Sequence, residues 1–125
     1  KLGLENITFT GFRNDIPEVL EDLDVFLITS KTEGLGTSIL DAFACNVPVV
    51  ATAAGGIPEI VIDEKSGLIA PVKDADLLAK QVDRLLNDQQ LKTDILKGAK
   101  ETLNWYTKEA TAEKTLTVYQ EVLGR

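Results

Sequence analysis

The 125-residue sequence has no histidine, no methionine, one cysteine and one tryptophan. Without histidine the chain cannot build a His-based triad, a histidine zinc site or a histidine general base from its own residues. A single thiol, Cys45, closes no disulfide within the chain, which favours a reducing compartment. No apolar run approaches the roughly 18–20 residues that span a bilayer, and the opening Lys1-Leu2-Gly3 does not read as a signal peptide. Lys and Arg number 13 against 20 Asp and Glu, a net charge of −7. With no basic cluster to offset that balance, no nucleic-acid-binding face is expected. No carboxylate cluster calls for a metal ion either. The missing initiator methionine reads as the mark of a segment of a longer protein. What is present suffices for one folded domain: 44% of the residues are hydrophobic and 26% charged, away from the composition of a disordered chain.

The first half alternates short β-like runs with helical stretches. Ile7-Thr8-Phe9-Thr10 is β-branched and aromatic and stops at Gly11. Ile16, Val19, Leu20 and Leu23 then fall on one face of a short helix, with Asp15 as its expected N-cap, Pro17 in the first turn and Glu18 three residues on. Asp24–Ile28 is nearly all apolar, as suits a strand buried on both faces of a parallel sheet. A glycine-punctuated loop, a helix over about Ser38–Cys45 and a strand Pro48–Thr52 follow. Ala53–Gly56 forms a turn, Pro58 opens a short helix, and Gly67–Ala70 is a last strand closed by Pro71. This rhythm with short connections predicts about four parallel strands, right-handed crossovers and helices on both faces. The second half carries three helical stripes and no strand signal. Ala75, Leu78, Ala79, Val82, Leu85 and Leu86 lie behind an Asp74 cap; Leu91, Ile95, Ala99 and Leu103 form the second stripe; Ala112, Leu116, Tyr119 and Leu123, opened by Thr107, form the third. All three are expected to pack into the core, with Trp105 and Tyr106 as a packing anchor and Cys45 as a core cysteine.

Ligands of open α/β sheets bind beyond the carboxyl ends of the strands. Two loops lie there, Thr29–Ser38 and Ala53–Glu59. In the first, Gly34 and Gly36 allow close backbone approach and positive φ. The helix behind them presents unpaired N–H groups at Leu35, Gly36, Thr37 and Ser38, which suit a pyrophosphate. Glu33 and Asp41 flank that helix start as acceptors for sugar or ribose hydroxyls. The local pattern also admits plainer roles: Ser38 and Asp41 as a capping box, Glu33 as an ordinary loop carboxylate, Gly55-Gly56 as no more than a turn, and Arg13 as a solvated arginine. No Walker loop and no dinucleotide fingerprint is present.

The stretch Glu33-Gly34-Leu35-Gly36-Thr37-Ser38-Ile39-Leu40-Asp41, continuing through Ala42–Thr52, strongly resembles the E-x7-E block of family 4 retaining glycosyltransferases. Gly55-Gly56-Ile57-Pro58-Glu59-Ile60-Val61 looks like that family's next motif, and Ser66–Ile69 like its last strand. Ile7–Phe12 is similar to the strand whose closing glycine faces the nucleobase, and Trp105–Val122 to the closing helices. The resemblance spans essentially the whole chain and implies a single partial domain over residues 1–125. That domain is the Rossmann-like, donor-binding C-terminal half of a GT-B enzyme.

By that resemblance the ligand is a nucleotide-diphospho-sugar, a donor substrate rather than a cofactor. Glu33 is the expected catalytic residue and holds the sugar's hydroxyls, and Asp41 meets the ribose. The backbone N–H groups of Leu35, Gly36, Thr37 and Ser38 hold the diphosphate beside Gly34, and backbone near Gly11, Phe12 and Arg13 faces the base. Asp41 stands where the family has a glutamate, one methylene longer, so its ribose contact is weakened or bridged by water. The resemblance places the glycan, lipid or small-molecule acceptor on an N-terminal half that this sequence does not contain. It also places the protein in the cytoplasm, peripheral to the inner membrane face. The competing readings are a non-catalytic sugar-nucleotide module and an α/β interaction domain. With two family strands missing, the first strand is expected to shift beside Asp24–Ile28, the alternatives being direct re-pairing and self-association across the bare sheet edge.

Overall fold

The structure, a computed structural model, describes residues 2–125. A helix α1 (Ile16–Glu21) leads into strand β1 (Phe26–Ile28), helix α2 (Thr37–Ala44) and strand β2 (Val49–Thr52). The short helix α3 (Ile57–Ile60) and strand β3 (Leu68–Ala70) follow. Helices α4 (Ala75–Asn87) and α5 (Gln89–Leu103), a 3-10 turn (Asn104–Tyr106) and helix α6 (Lys108–Leu123) complete the chain. The three strands are parallel in the order β1-β2-β3, with Phe26 opposite Val49 and Val50 opposite Leu68.

Alternation along the central strand explains the layering. Val49 and Ala51 point into a cluster with Ile39, Phe43, Ile57 and Ile60 of α2 and α3. Val50 points the other way, to Leu68, Ala70, Leu78, Leu85 and Ile95. Helices therefore cover both faces, and all four residues of β2 are buried. The expected α/β class and parallel sheet are what the chain forms.

The strand expected at Ile7–Thr10 does not form, and the sheet has three strands instead of about four. The segment neither shifts beside β1 nor pairs elsewhere: Phe9 is 94% exposed and Phe12 97%. β1 is three residues long, so its open edge provides few ladder bonds against an ordering cost of about 1–2 kcal/mol per residue. For the same reason β1 is not buried on both faces. Leu27, on the α4 side, stays 46% exposed because no helix reaches over that edge.

The helices divide by what lies beneath them. Leu78 and Leu85 of α4, and Ile95 and Ala99 of α5, are buried as their stripes require. Asp74 and Thr107 cap α4 and α6, accepting from the N–H groups of Leu77 and Ala110. Asp88, between α4 and α5, caps α5 in the same way through Leu91 N–H. The third stripe fails: no residue of α6 is buried, and Leu116, Tyr119 and Leu123 lie open. Periodicity marks an amphipathic helix but not the surface it meets, and within this chain α6 meets only the 3-10 turn closely. The anchor splits likewise. Tyr106 is half-buried, its hydroxyl donating to the Glu59 carbonyl at 3.2 Å, whereas Trp105 is exposed. Cys45 is half-buried at the edge of the core rather than inside it. Burial, then the carboxylates of Glu21, Asp41 and Glu18, push its thiol pKa up and keep it protonated.

One contact in this frame was invisible in the sequence. Gly98 sits inside α5, where a Cβ would fall 1.9 Å from the Lys65 carbonyl oxygen. Alanine normally stabilises a helix interior over glycine by about 1 kcal/mol; here the close approach of α5 to the turn before β3 reverses the sign. Gly98→Ala is expected to lower stability by about 2 kcal/mol, read as a fall in the urea midpoint at unchanged slope. An unchanged or raised midpoint would show that the approach is not needed.

Candidate functional site

The loop between β1 and α2 leaves the carboxyl edge of the sheet. Its path is set by β2: the Thr52 hydroxyl donates to the Ser30 carbonyl at 2.6 Å. The Ser30 hydroxyl in turn donates to Glu33 Oε2 at 3.0 Å. Glu33 is half-buried and held by that bond, not free in solvent. Gly36 then takes φ +77° as the N-cap of α2, and Ile39 N–H donates back to its carbonyl at 2.9 Å. A left-handed residue here is why the loop needs glycine. Gly34, by contrast, has no positive φ and open space around it, so only one of the two expected conformational glycines is required.

Helix α2 begins at Thr37 with no side-chain cap, so the capping box drawn through Ser38 and Asp41 does not form. Ser38 lies within the first turn, and the exposed Asp41 carboxylate has no hydrogen-bond donor among the described residues. Among those residues the N–H groups of Leu35, Gly36, Thr37 and Ser38 also find no acceptor. Four donors thus lie at the start of an eight-residue helix, Gly36 buried and Leu35, Thr37 and Ser38 exposed, between a restrained carboxylate and an unpartnered one a turn on, an arrangement able to receive an anion flanked by hydroxyls. The other end of α2 is closed in a Schellman motif, with Asn46 at φ 58° and Val47 N–H donating to the Ala42 carbonyl at 2.9 Å.

The Gly55-Gly56 pair does more than turn the chain. Gly55 has φ +53°, and a Cβ on it would lie 1.7 Å from the Glu33 carbonyl oxygen. A Cβ on Gly56 would lie 2.3 Å from the Gly34 oxygen, to which Gly56 N–H donates at 2.8 Å. The two sequence-distant loops pack backbone against backbone. The sequence showed these two adjacent glycines only as a turn, and no signal in it named the surface they approach.

The upstream residues are placed differently. Gly11 has φ +67°, and Gly11, Phe12 and Arg13 are all exposed. Arg13 is not a free cation: its guanidinium makes two hydrogen bonds to Asp15, one of them at 2.8 Å, and holds that carboxyl below its usual range. Asp15 therefore starts α1 without capping it through its side chain. No hydrogen bond joins Gly11–Arg13 to the Glu33 loop. The link is indirect: Ile16, Pro17 and Leu20 of α1, Asp41 and Ala44 of α2 and its C-cap Cys45 line a groove of about 440 Å³.

Comparison with known proteins decides the family. Residues 1–102 match the family described as glycosyl transferases group 1. The chain belongs to that family. It is 31% identical over 117 residues to the N,N'-diacetylbacillosaminyl-diphospho-undecaprenol alpha-1,3-N-acetylgalactosaminyltransferase of Campylobacter jejuni, covering 94% of this chain and 31% of that protein. It is also 31% identical over 120 residues to the N-acetyl-alpha-D-glucosaminyl L-malate synthase of Bacillus anthracis, covering 95% and 32%. Among solved structures it matches HepE of Anabaena in complex with UDP-glucose. The TM-score is 0.84 and the identity 30%, over 97% of this chain and 34% of the other. The C-terminal domain of a glycosyl transferase group 1 protein from Francisella tularensis matches at a TM-score of 0.68 and 32% identity, over 78% and 50%. The chain spans about a third of the length of the first two relatives. Among the described residues no helix is long and apolar enough to cross a membrane.

Proposed function

We propose that this group 1 glycosyltransferase chain is the donor-binding half of a retaining, family 4-type enzyme that moves a hexose from a nucleotide-diphospho-sugar to a glycan, lipid or small-molecule acceptor. The observation that carries the reading is the start of α2. Four backbone donors without acceptors stand beside a carboxylate that Ser30 holds in place. The diphosphate docks on the N–H groups of Leu35–Ser38. Glu33 accepts from the sugar hydroxyls, and Asp41 accepts from the ribose. The base lies toward Gly11–Arg13, along the groove between α1 and α2.

Transfer with retention and without a covalent intermediate needs the acceptor oxygen to attack the anomeric carbon on the face the diphosphate leaves. The new C–O bond forms as the bond to phosphate breaks, and the acceptor's proton passes to the departing phosphate oxygen. Charge grows on that phosphate, so donors fixed beforehand are the main source of rate. Backbone amides provide part of this. Arg13 sits in an exposed pair with Asp15 and makes no hydrogen bond to the Glu33 loop, and the balancing cations, like the acceptor site, are assigned to residues outside this chain. The open edge of β1 and the bare face of α6 are where further chain, or a second copy, packs. The setting is cytoplasmic, peripheral to the inner membrane face.

The full-length protein is expected to transfer sugar with the donor's anomeric configuration retained, as read from the anomeric proton coupling of the product; an inverted product overturns the retaining assignment. The 125-residue chain alone is expected neither to turn over nor to bind UDP-glucose or a GDP-sugar tightly. Calorimetric binding below about 1 μM, some 8 kcal/mol, would show that the chain needs no partner half.

A further inference from the structure

Trp105 is the only tryptophan of the chain, and it is 65% exposed on the turn between α5 and α6. It is nonetheless held. Next to it, the Tyr106 hydroxyl is bonded to the Glu59 carbonyl. Lys114 Nζ donates to the Trp105 carbonyl at 3.1 Å and lies 5.1 Å from the centre of the indole ring. With its backbone held in this way, the exposed indole offers a flat apolar surface for stacking. Here it borders a cleft of about 540 Å³, within the range of small-ligand sites, lined also by Glu101, Asn104, Glu113, Lys114 and Thr117.

That lining has a particular chemistry. One flat aromatic surface is ringed by two carboxylates, an amide, a hydroxyl and an ammonium group. A pyranose ring is the complement: its C–H face is apolar and its rim is a belt of hydroxyls that both donate and accept. Phosphorylated ligands are disfavoured, because the lining sets two carboxylates, Glu101 and Glu113, against the single ammonium of Lys114. A purely apolar partner leaves those carboxylates desolvated and unpaired. We infer that the Trp105 cleft is a binding site for a neutral saccharide, with the indole as stacking platform and Glu101, Asn104, Glu113 and Thr117 as hydroxyl partners.

The site is separate from the α2 mouth, and α3 stands between them. Gly56, at the start of α3, bonds to the Glu33 loop, while Glu59 within it bonds to Tyr106. A glycan held at Trp105 is thereby anchored at a fixed offset from the place where sugar is transferred. The inference does not depend on the donor assignment.

With one tryptophan, intrinsic fluorescence reports on this cleft alone. The 125-residue chain is titrated separately with maltohexaose, cellohexaose, chitohexaose and UDP. A saturable change in Trp105 emission is expected with at least one hexasaccharide, at a half-saturation on the order of 1–10 mM, and none with UDP. Glu113→Ala is expected to weaken it about fivefold, and Glu33→Gln to leave it unchanged. In Trp105→Ala, saturation-transfer NMR of the same sugar is expected to lose its signal, with the circular dichroism spectrum intact. Four results overturn the inference: no saturable response to any of the three sugars, a response to UDP, a response lost in Glu33→Gln, or sugar binding that survives Trp105→Ala. An emission maximum that shifts with protein concentration in the absence of sugar also overturns it, since a second copy then covers the indole.

Discussion

Glu33→Ala in the full-length enzyme is expected to lower kcat/KM for sugar transfer by at least about 100-fold, while the melting temperature stays within about 2 °C. The reason is the position of the carboxylate. It is half-buried and held by Ser30 at the end of a bond chain that starts on β2. On the proposed donor reading it meets the sugar without first losing side-chain freedom, and hydrogen bonds to a charged acceptor are worth about 1.5–3 kcal/mol each. Two such bonds lost in the transition state already exceed a hundredfold. The stability cost is small because Ser30 Oγ remains near solvent and can bond to water. Steady-state kinetics with the nucleotide-sugar varied, beside a thermal melt, separates the two. Unchanged transfer in a folded variant removes the donor assignment altogether.

Gly55→Ala is expected to be the most damaging single methyl group that can be added near the site. Its Cβ would lie 1.7 Å from the Glu33 carbonyl oxygen, at a backbone φ of +53°. The left-handed conformation alone costs about 1–2 kcal/mol for a residue with a Cβ. The overlap adds to that, because the atom met is backbone and cannot rotate away. We expect a loss of about 3 kcal/mol, or roughly 10 °C in melting temperature, and loss of transfer as the Glu33 loop is pushed off its path. Gly34→Ala, twenty-one positions upstream in the same contact, is the matched control: its Cβ would meet nothing and its φ is not positive. A melting temperature for Gly55→Ala equal to that of Gly34→Ala would show that the two loops do not pack as described.

These two positions also mark where sequence reading succeeds and where it stops. Glu33, the glycine loop and the start of α2 were legible because strand, loop and helix follow one another along the chain, and the chemistry of a helix mouth is local. The buttress under that loop was not, since Gly55 and Glu33 lie on loops that leave the neighbouring strands β2 and β1 and are more than twenty residues apart along the chain. The capping box at Ser38 and Asp41 was misread for a related reason. The serine spacing fits a cap, but the N-cap is Gly36, at positive φ and two residues earlier, which places Ser38 inside the first turn.

The expected strand at Ile7–Thr10 and the expected core stripe on α6 failed together. Both have the composition of buried elements, and Phe9, Phe12, Leu116 and Tyr119 are all exposed. Composition states that an element can be buried; it does not provide the partner. α4 and α5 carry comparable stripes and are buried because α4 lies over β2 and β3 and α5 packs against α4 and α2.

Periodicity, turn residues and the Glu33–Asp41 block by themselves determined the α/β class, the parallel strands from β1 to β3, the caps at Asp74 and Thr107, and the loop that forms the helix mouth. Each of these depends on interactions within a few residues or on the alternation of one strand. The three-dimensional packing alone decided which glycines are indispensable, which apolar stripes are covered, that Arg13 is spent on Asp15, and that Trp105 faces solvent. Those outcomes depend on which distant surfaces meet, and a linear pattern of apolar and polar residues carries no record of that.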